Sequence, residues 1–207
     1  IRVPVSVSGL STNEIRLFQT RLDARGLPFT LVKGGSAPAP TPAGMPSANP
    51  PVTNLEPGSS FSALASYGDM TFGGVGTTTA ICGNVAMAWG HPMYFTGKSQ
   101  LGMAAADIVT VVKDPIWGPY KVAIIGETVG TVDQDRLTGI RGIYGQMPDL
   151  IPVTSSLANT DLGTARDGET DVAWTEVLPD IAAFHTMSNI DVVLNQWGEG
   201  SASLTWT

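Results

Sequence analysis

Apolar and polar residues alternate in short runs along most of this chain, and long helical stretches are few. Ile1 to Ser8 alternates around Pro4 and predicts a strand. Ser11-Thr12-Asn13-Glu14 is a capping-box pattern. Ile15, Phe18 and Leu22 then recur at helical spacing, and Gly26 stops the helix. Phe29 to Val32 reads as a second strand, so residues 1–35 predict a small β-α-β segment. Residues 36–57 are dense in proline and alanine, which predicts an extended linker or a strap laid over the body.

Residues 58–207 carry strand signals at close intervals. Ser60 to Ser66 and Met70 to Phe72 flank a Gly-Asp turn, and Gly76 to Cys82 and Val85 to Trp89 flank Gly83-Asn84, a pair suited to positive φ. Leu101 to Ala106 has weak helical character, and Ile108 to Val112 reads as an apolar strand. Lys121 to Ile125 and Thr128 to Val132 predict a hairpin, and Ile151 to Ser155 and Thr170 to Trp174 predict strands. Pro179 to Met187 opens with proline in its first turn and reads as a short helix. Val192 to Leu194 and Ala202 to Trp206 look like closing strands. Short strands separated by frequent turns predict a mainly β barrel or sandwich.

Composition narrows the function classes. The chain has 11 basic and 18 acidic residues, a net charge of −7, and no basic run, which argues against nucleic acid as a partner. A single cysteine, Cys82, excludes an internal disulfide and is read as a packing residue. With two histidines and no Asp-x-Asp-x-Asp-Gly pattern, neither a zinc nor a calcium site is expected, and no cofactor is implied. No apolar run is long enough to span a bilayer, so membrane association would come only through segments outside this chain. The low charge and the 24 glycines and 15 prolines fit an exported protein. The start at Ile1 rather than Met fits a trimmed chain or a mature fragment, and is compatible with removal of a signal peptide or an anchor.

The candidate chemistry centres on Gly90-His91-Pro92. His91 ends a predicted hairpin just before a loop, a suitable mount for a general base or for a histidine that only ties a turn. Asp107, ahead of Ile108 to Val112, is a candidate orienting carboxylate or a turn cap. Three serines are candidate nucleophiles: Ser155 and Ser156 after a β run, and Ser201 in Gly198-Glu199-Gly200-Ser201. No Gly-x-Ser-Gly loop accompanies them. Gly130 to Gly142 gathers Asp133, Asp135, Arg136 and Arg141 among glycines, either to bind a carboxylate or to tie a corner. His185 is read as an ordinary surface or boundary residue of the short helix.

Tyr67-Gly68-Asp69-Met70-Thr71, Gly76-Thr77-Thr78-Thr79, Gly90-His91-Pro92 and the Gly130 to Gly142 segment together resemble the SpoIVB-type serine peptidase family, in its exported actinobacterial form. The likeness runs from about Pro57 to Ser156, with a shorter one over Val3 to Leu10. It implies a trypsin-like double β-barrel over residues 58–207, with the catalytic histidine at His91. It also implies an extracytoplasmic protein, secreted or attached to the cell envelope, acting on a peptide or protein substrate. The family's serine sits in a glycine-rich Ser-Gly segment that this sequence does not repeat. Two functions therefore stand as expectations: a peptidase with a His-activated serine, and an inactive module of the same fold that binds a peptide or protein.

Overall fold

Ten strands and two α-helices make up the computed structural model, which describes residues 2–34, 55–113, 115, 119–195 and 201–207. The N-terminal unit is β1 (Val3–Ser8), α1 (Thr12–Ala24) and β2 (Phe29–Lys33), with β1 and β2 parallel. Both halves of the capping box form: Glu14 N–H donates to Ser11 Oγ, and Ser11 N–H donates to Glu14 Oε2 at 2.7 Å. Two N–H groups that the first turn would leave unpaired are thereby satisfied.

Six strands close into one ring: β3 (Ser60–Gly68), β4 (Thr71–Cys82), β5 (Val85–Ala88), β8 (Gly139–Tyr144), β7 (Tyr120–Arg136), β6 (Gly97–Val112), and back to β3. Every pairing in the ring is antiparallel. The ring is narrow, and its interior alternates large and small side chains. Phe61, Leu101, Met103, Val132 and Ile140 are buried in one core with Ala63, Ala86, Ala88 and Ala105. No second ring closes among the described residues.

Two extensions grow from the ring. β1 pairs with the start of β4 (Ser6↔Gly73). On the other side β10 (Thr164–Val172) pairs with the end of β3, and β9 (Ile151–Asn159) lies outside β10. A register shift between Leu64 and Ser66 marks where β3 leaves the ring; there the Ala65 carbonyl accepts from Ala173 N–H at 2.8 Å. α2 (Leu178–Leu194) covers one face of the β9–β10 hairpin and reaches α1.

Several sequence expectations change. Leu101 to Ala106 is part of β6, because its small residues fill ring positions between β3 and β7. The expected hairpin at Lys121 to Val132 is one strand; register shifts against β6 absorb the Gly126-Glu127 irregularity. Val192 to Leu194 continues α2, which stops at Asn195 in the left-handed region (φ 47°). Ala202 to Trp206 is exposed and forms no strand. Residues 36–54 of the expected linker or strap lie outside the described residues.

The N-terminal unit shares the core of the ring. Phe18 of α1 meets Phe72 of β4 (centroids 5.5 Å) and Phe184 of α2 (4.5 Å). The buried Asp180 carboxylate accepts from Arg21 Nε at 2.8 Å and Arg25 Nη1 at 2.5 Å. Phe18→Ala is expected to cost about 3–5 kcal/mol in a urea unfolding curve that stays a single transition. A separate early transition for the N-terminal unit would contradict the shared core.

Candidate functional site

The loop carrying His91 is held in a strained shape. Trp89 (φ 75°) and Phe95 (φ 56°), both bulky, occupy the left-handed region that favours glycine. Such residues cost on the order of 1–3 kcal/mol each and persist where surrounding contacts over-determine them. Asp135, fully buried at the end of β7, supplies those contacts: its carboxylate accepts from Met93 N–H (2.9 Å), Tyr94 N–H (2.6 Å) and Thr96 N–H (3.5 Å). The Trp89 indole donates to the Phe61 carbonyl at 3.3 Å and lies over Gly74 and Gly76, where a methyl group would overlap it. The closely spaced glycines of β4 thus make room for a ring.

His91 itself is exposed. Its Nδ1 hydrogen-bonds to the carbonyl of Pro92 at 2.8 Å, and its ring stands 5.5 Å from that of Trp89. Among the described residues it has no hydrogen bond to a serine or a carboxylate. Asp107 is exposed in the middle of β6, opposite Ile124, and neither heads a strand nor caps a turn. It is ten residues along from Gly97, the end of β6 nearest the His91 loop, roughly 30 Å of strand path. Ser156 is exposed on the face of β9 away from α2, and Ser201 is exposed in the tail. Cys82 is exposed rather than packed. The Gly130 to Gly142 segment ties a corner: Arg141 holds Asp133 in a two-pronged ion pair, with Nε to Oδ1 at 2.9 Å.

A Ser–His contact does form, with the other histidine. Ser155 on β9 faces α2, and its Oγ lies 2.9 Å from Nε2 of His185. His185 is fully buried, not a surface residue. Its Nδ1 lies 2.9 Å from Thr170 Oγ1 on β10. Asn189, one turn along α2, covers the ring and donates to the His185 carbonyl at 2.9 Å. Arg166 bridges Asn189 Oδ1 (2.5 Å) to Asp69 Oδ1 (2.7 Å), and the other Asp69 oxygen accepts from Glu169 N–H at 3.0 Å. Gly168, opposite Ser155 in the ladder, leaves space for Asn189 and Asp69. The sequence signal for this cluster was polar residues (His185, Ser188, Asn189) on the same helical face as Ile181 and Phe184.

Hydrogen-bond accounting assigns the tautomer of His185. Thr170 Oγ1 already accepts from Met70 N–H at 3.1 Å, and Thr170 is fully buried. Among the described residues the only acceptor offered to its hydroxyl proton is His185 Nδ1. Nδ1 is then the acceptor, and Nε2 carries the proton and donates to Ser155. The reverse arrangement strands a buried hydroxyl proton, at about 1–3 kcal/mol. Burial also lowers the His185 pKa from the usual 6.5; Asp69 opposes that shift and Arg166 adds to it. The imidazole is neutral, and it is turned to donate to the serine it touches.

Among the described residues no three His, Cys, Asp or Glu side chains are grouped to hold a metal, and no helix is long and apolar enough to cross a membrane.

Long-range ¹H–¹⁵N correlation spectra are expected to show the His185 proton on Nε2; a proton on Nδ1 would reverse the assignment. Because the folded pKa is depressed, the unfolded chain takes up this proton first as pH falls. Stability should therefore be independent of His185 above about pH 6.5 and decline below it. That decline should be smaller in His185→Gln, measured by urea midpoints across pH 5–8.

No family model, curated protein or solved structure matches this chain.

Proposed function

We propose that this chain is a peptidase-fold module that binds an extended peptide or protein partner without cleaving it. One observation carries the reading: Thr170 Oγ1, 2.9 Å from Nδ1 of His185, already accepts from Met70 N–H, so its own proton goes to the imidazole and leaves Nε2 to donate to the serine. A general base must present a lone pair to the hydroxyl it activates. His185 spends its lone pair on Thr170; His91 donates from Nδ1 to the Pro92 carbonyl, but among the described residues no serine is bonded to its other nitrogen.

Ancestry in a SpoIVB-like, trypsin-like family is supported by the resemblance in the Gly90-His91-Pro92 and Gly130 to Gly142 segments. The closed six-stranded ring is compatible with one barrel of such a fold. The strained His91 loop fits an inherited site whose geometry has outlasted its chemistry. An address outside the cytoplasm rests on the same resemblance and on composition. A protein rather than a nucleic-acid partner fits the charge distribution, since Arg2, Arg21, Arg25, Arg141 and Arg166 are all paired with aspartates.

The 2.9 Å contact favours a second reading, hydrolysis by Ser155 with His185 as base. It requires the opposite tautomer and an unpaired Thr170 proton. A fluorophosphonate probe separates the two. Binding without cleavage predicts no labelling. Stoichiometric labelling that disappears in Ser155→Ala, with the fold intact by circular dichroism, would establish the hydrolase.

A further inference from the structure

β9 is the outermost strand on its side of the sheet, and it is paired with β10 through nine consecutive residue pairs, from Ile151↔Val172 to Asn159↔Thr164, with no bulge. Its other edge pairs with no strand among the described residues. Every second residue therefore turns its N–H and C=O outward. Edge strands are normally blunted by lysine, a bulge or an inward charge. Ile151–Asn159 has no charged residue, and its only guard is Pro152 near the start. The opposite edge of the sheet, β2, is five residues long and ends on Lys33.

The two faces beside this edge differ. Val153, Ser155 and Leu157 are half-buried on the α2 side. Thr154, Ser156 and Ala158 stand exposed on the other. There β10 sets Asp167 opposite Ser156, Glu169 opposite Thr154 and Asp171 opposite Pro152. No ion pair engages these three acids among the described residues. A strand added to β9 would lie about 9–10 Å from β10, with only small side chains between, so a long basic side chain can lean across to the carboxylates. A second copy fits poorly: its β9 carries no Lys or Arg to meet these carboxylates, and its β10 would bring a second row of Asp167, Glu169 and Asp171.

We propose that the outer edge of β9 accepts an extended segment of a partner protein as an additional strand. That segment carries Lys or Arg on alternate residues, facing Asp167, Glu169 and Asp171. Backbone hydrogen bonds supply the affinity and the acidic stripe sets register and direction of facing, as in other strand-addition complexes. This rests on the binding reading above and names its surface and partner chemistry.

The test is fluorescence anisotropy with a labelled nine-residue peptide alternating lysine and threonine. The lysine peptide is expected to bind, more weakly as salt is added, and the glutamate–threonine counterpart is not. N-methylating the peptide at odd or at even residues removes alternate backbone donors. One of those two sets should lose about tenfold in affinity and the other little, because a strand edge uses every second residue. Asp167→Asn, Glu169→Gln and Asp171→Asn combined should weaken binding by about tenfold while the fold is kept. No binding at roughly 1 mM peptide, equal affinity for both N-methylated sets, or indifference to the triple neutralisation would each overturn the edge proposal. Cleavage of the bound peptide, read by mass spectrometry and lost in Ser155→Ala, would instead overturn the non-catalytic reading and leave the edge proposal standing.

Discussion

An aromatic seam holds the parts of this molecule together. Phe18 of α1 packs at a tilt between Phe72 of β4 and Phe184 of α2, and Phe72 continues to Phe29 of β2 and to Tyr94 in the His91 loop. Tyr94 in turn stacks on Trp174 at 4.3 Å, just before α2. The N-terminal unit, the closed ring, the strained loop and the C-terminal helix therefore share one aromatic interface. Large aromatic surfaces dominate such burial, and their tilted and edge-on contacts add to it. The Tyr94 hydroxyl is buried beside Asp135, and burial first, then that carboxylate, hold its proton on well above the usual range.

The seam also explains why a bent loop can persist. Asp135 fixes the backbone of Met93 and Tyr94 from one side, and the aromatic rings fix the Tyr94 side chain from the other. Between these anchors Trp89 and Phe95 stay in conformations that neither would adopt alone. His91 is displayed at the surface by this frame, with no serine or carboxylate bonded to it among the described residues. The interior histidine shows the complementary case. His185 meets a serine at the right distance, yet the buried Thr170 proton decides which nitrogen can accept. Distance alone identifies a contact; the direction of the proton decides what the contact does.

Local chemistry was legible where a few neighbouring residues decide the outcome. The capping box at Ser11 and Glu14, the Gly83-Asn84 turn and the start of α2 at Leu178-Pro179 all formed. The strand-rich character was legible from alternation. Continuity was not: β6 and β7 run through segments that read as a helix and as a turn, because pairing on both sides overrides weak local preference. Val192 and Val193 read as a strand for the same reason, being β-branched, but the helix before them was already packed. The candidate site was legible only in its parts. Ser155 was among the nucleophile candidates, but its partner was taken to be His91, since a sequence does not show which imidazole lies across a hairpin.

By itself the sequence determined the alternation that makes strands, the caps and turns that end them, the acidic balance, and the lack of a serine loop of the Gly-x-Ser-Gly kind. These follow from the chemistry of residues adjacent in the chain. Only the tertiary structure decided that six strands close into a ring, that Gly74 and Gly76 yield to the Trp89 indole, and that β9 has an edge no strand covers among the described residues. It also decided that His185 rather than His91 meets Ser155, and that the proton points toward the serine. Those outcomes depend on groups brought together from distant segments, and on a buried hydroxyl whose single proton must find an acceptor.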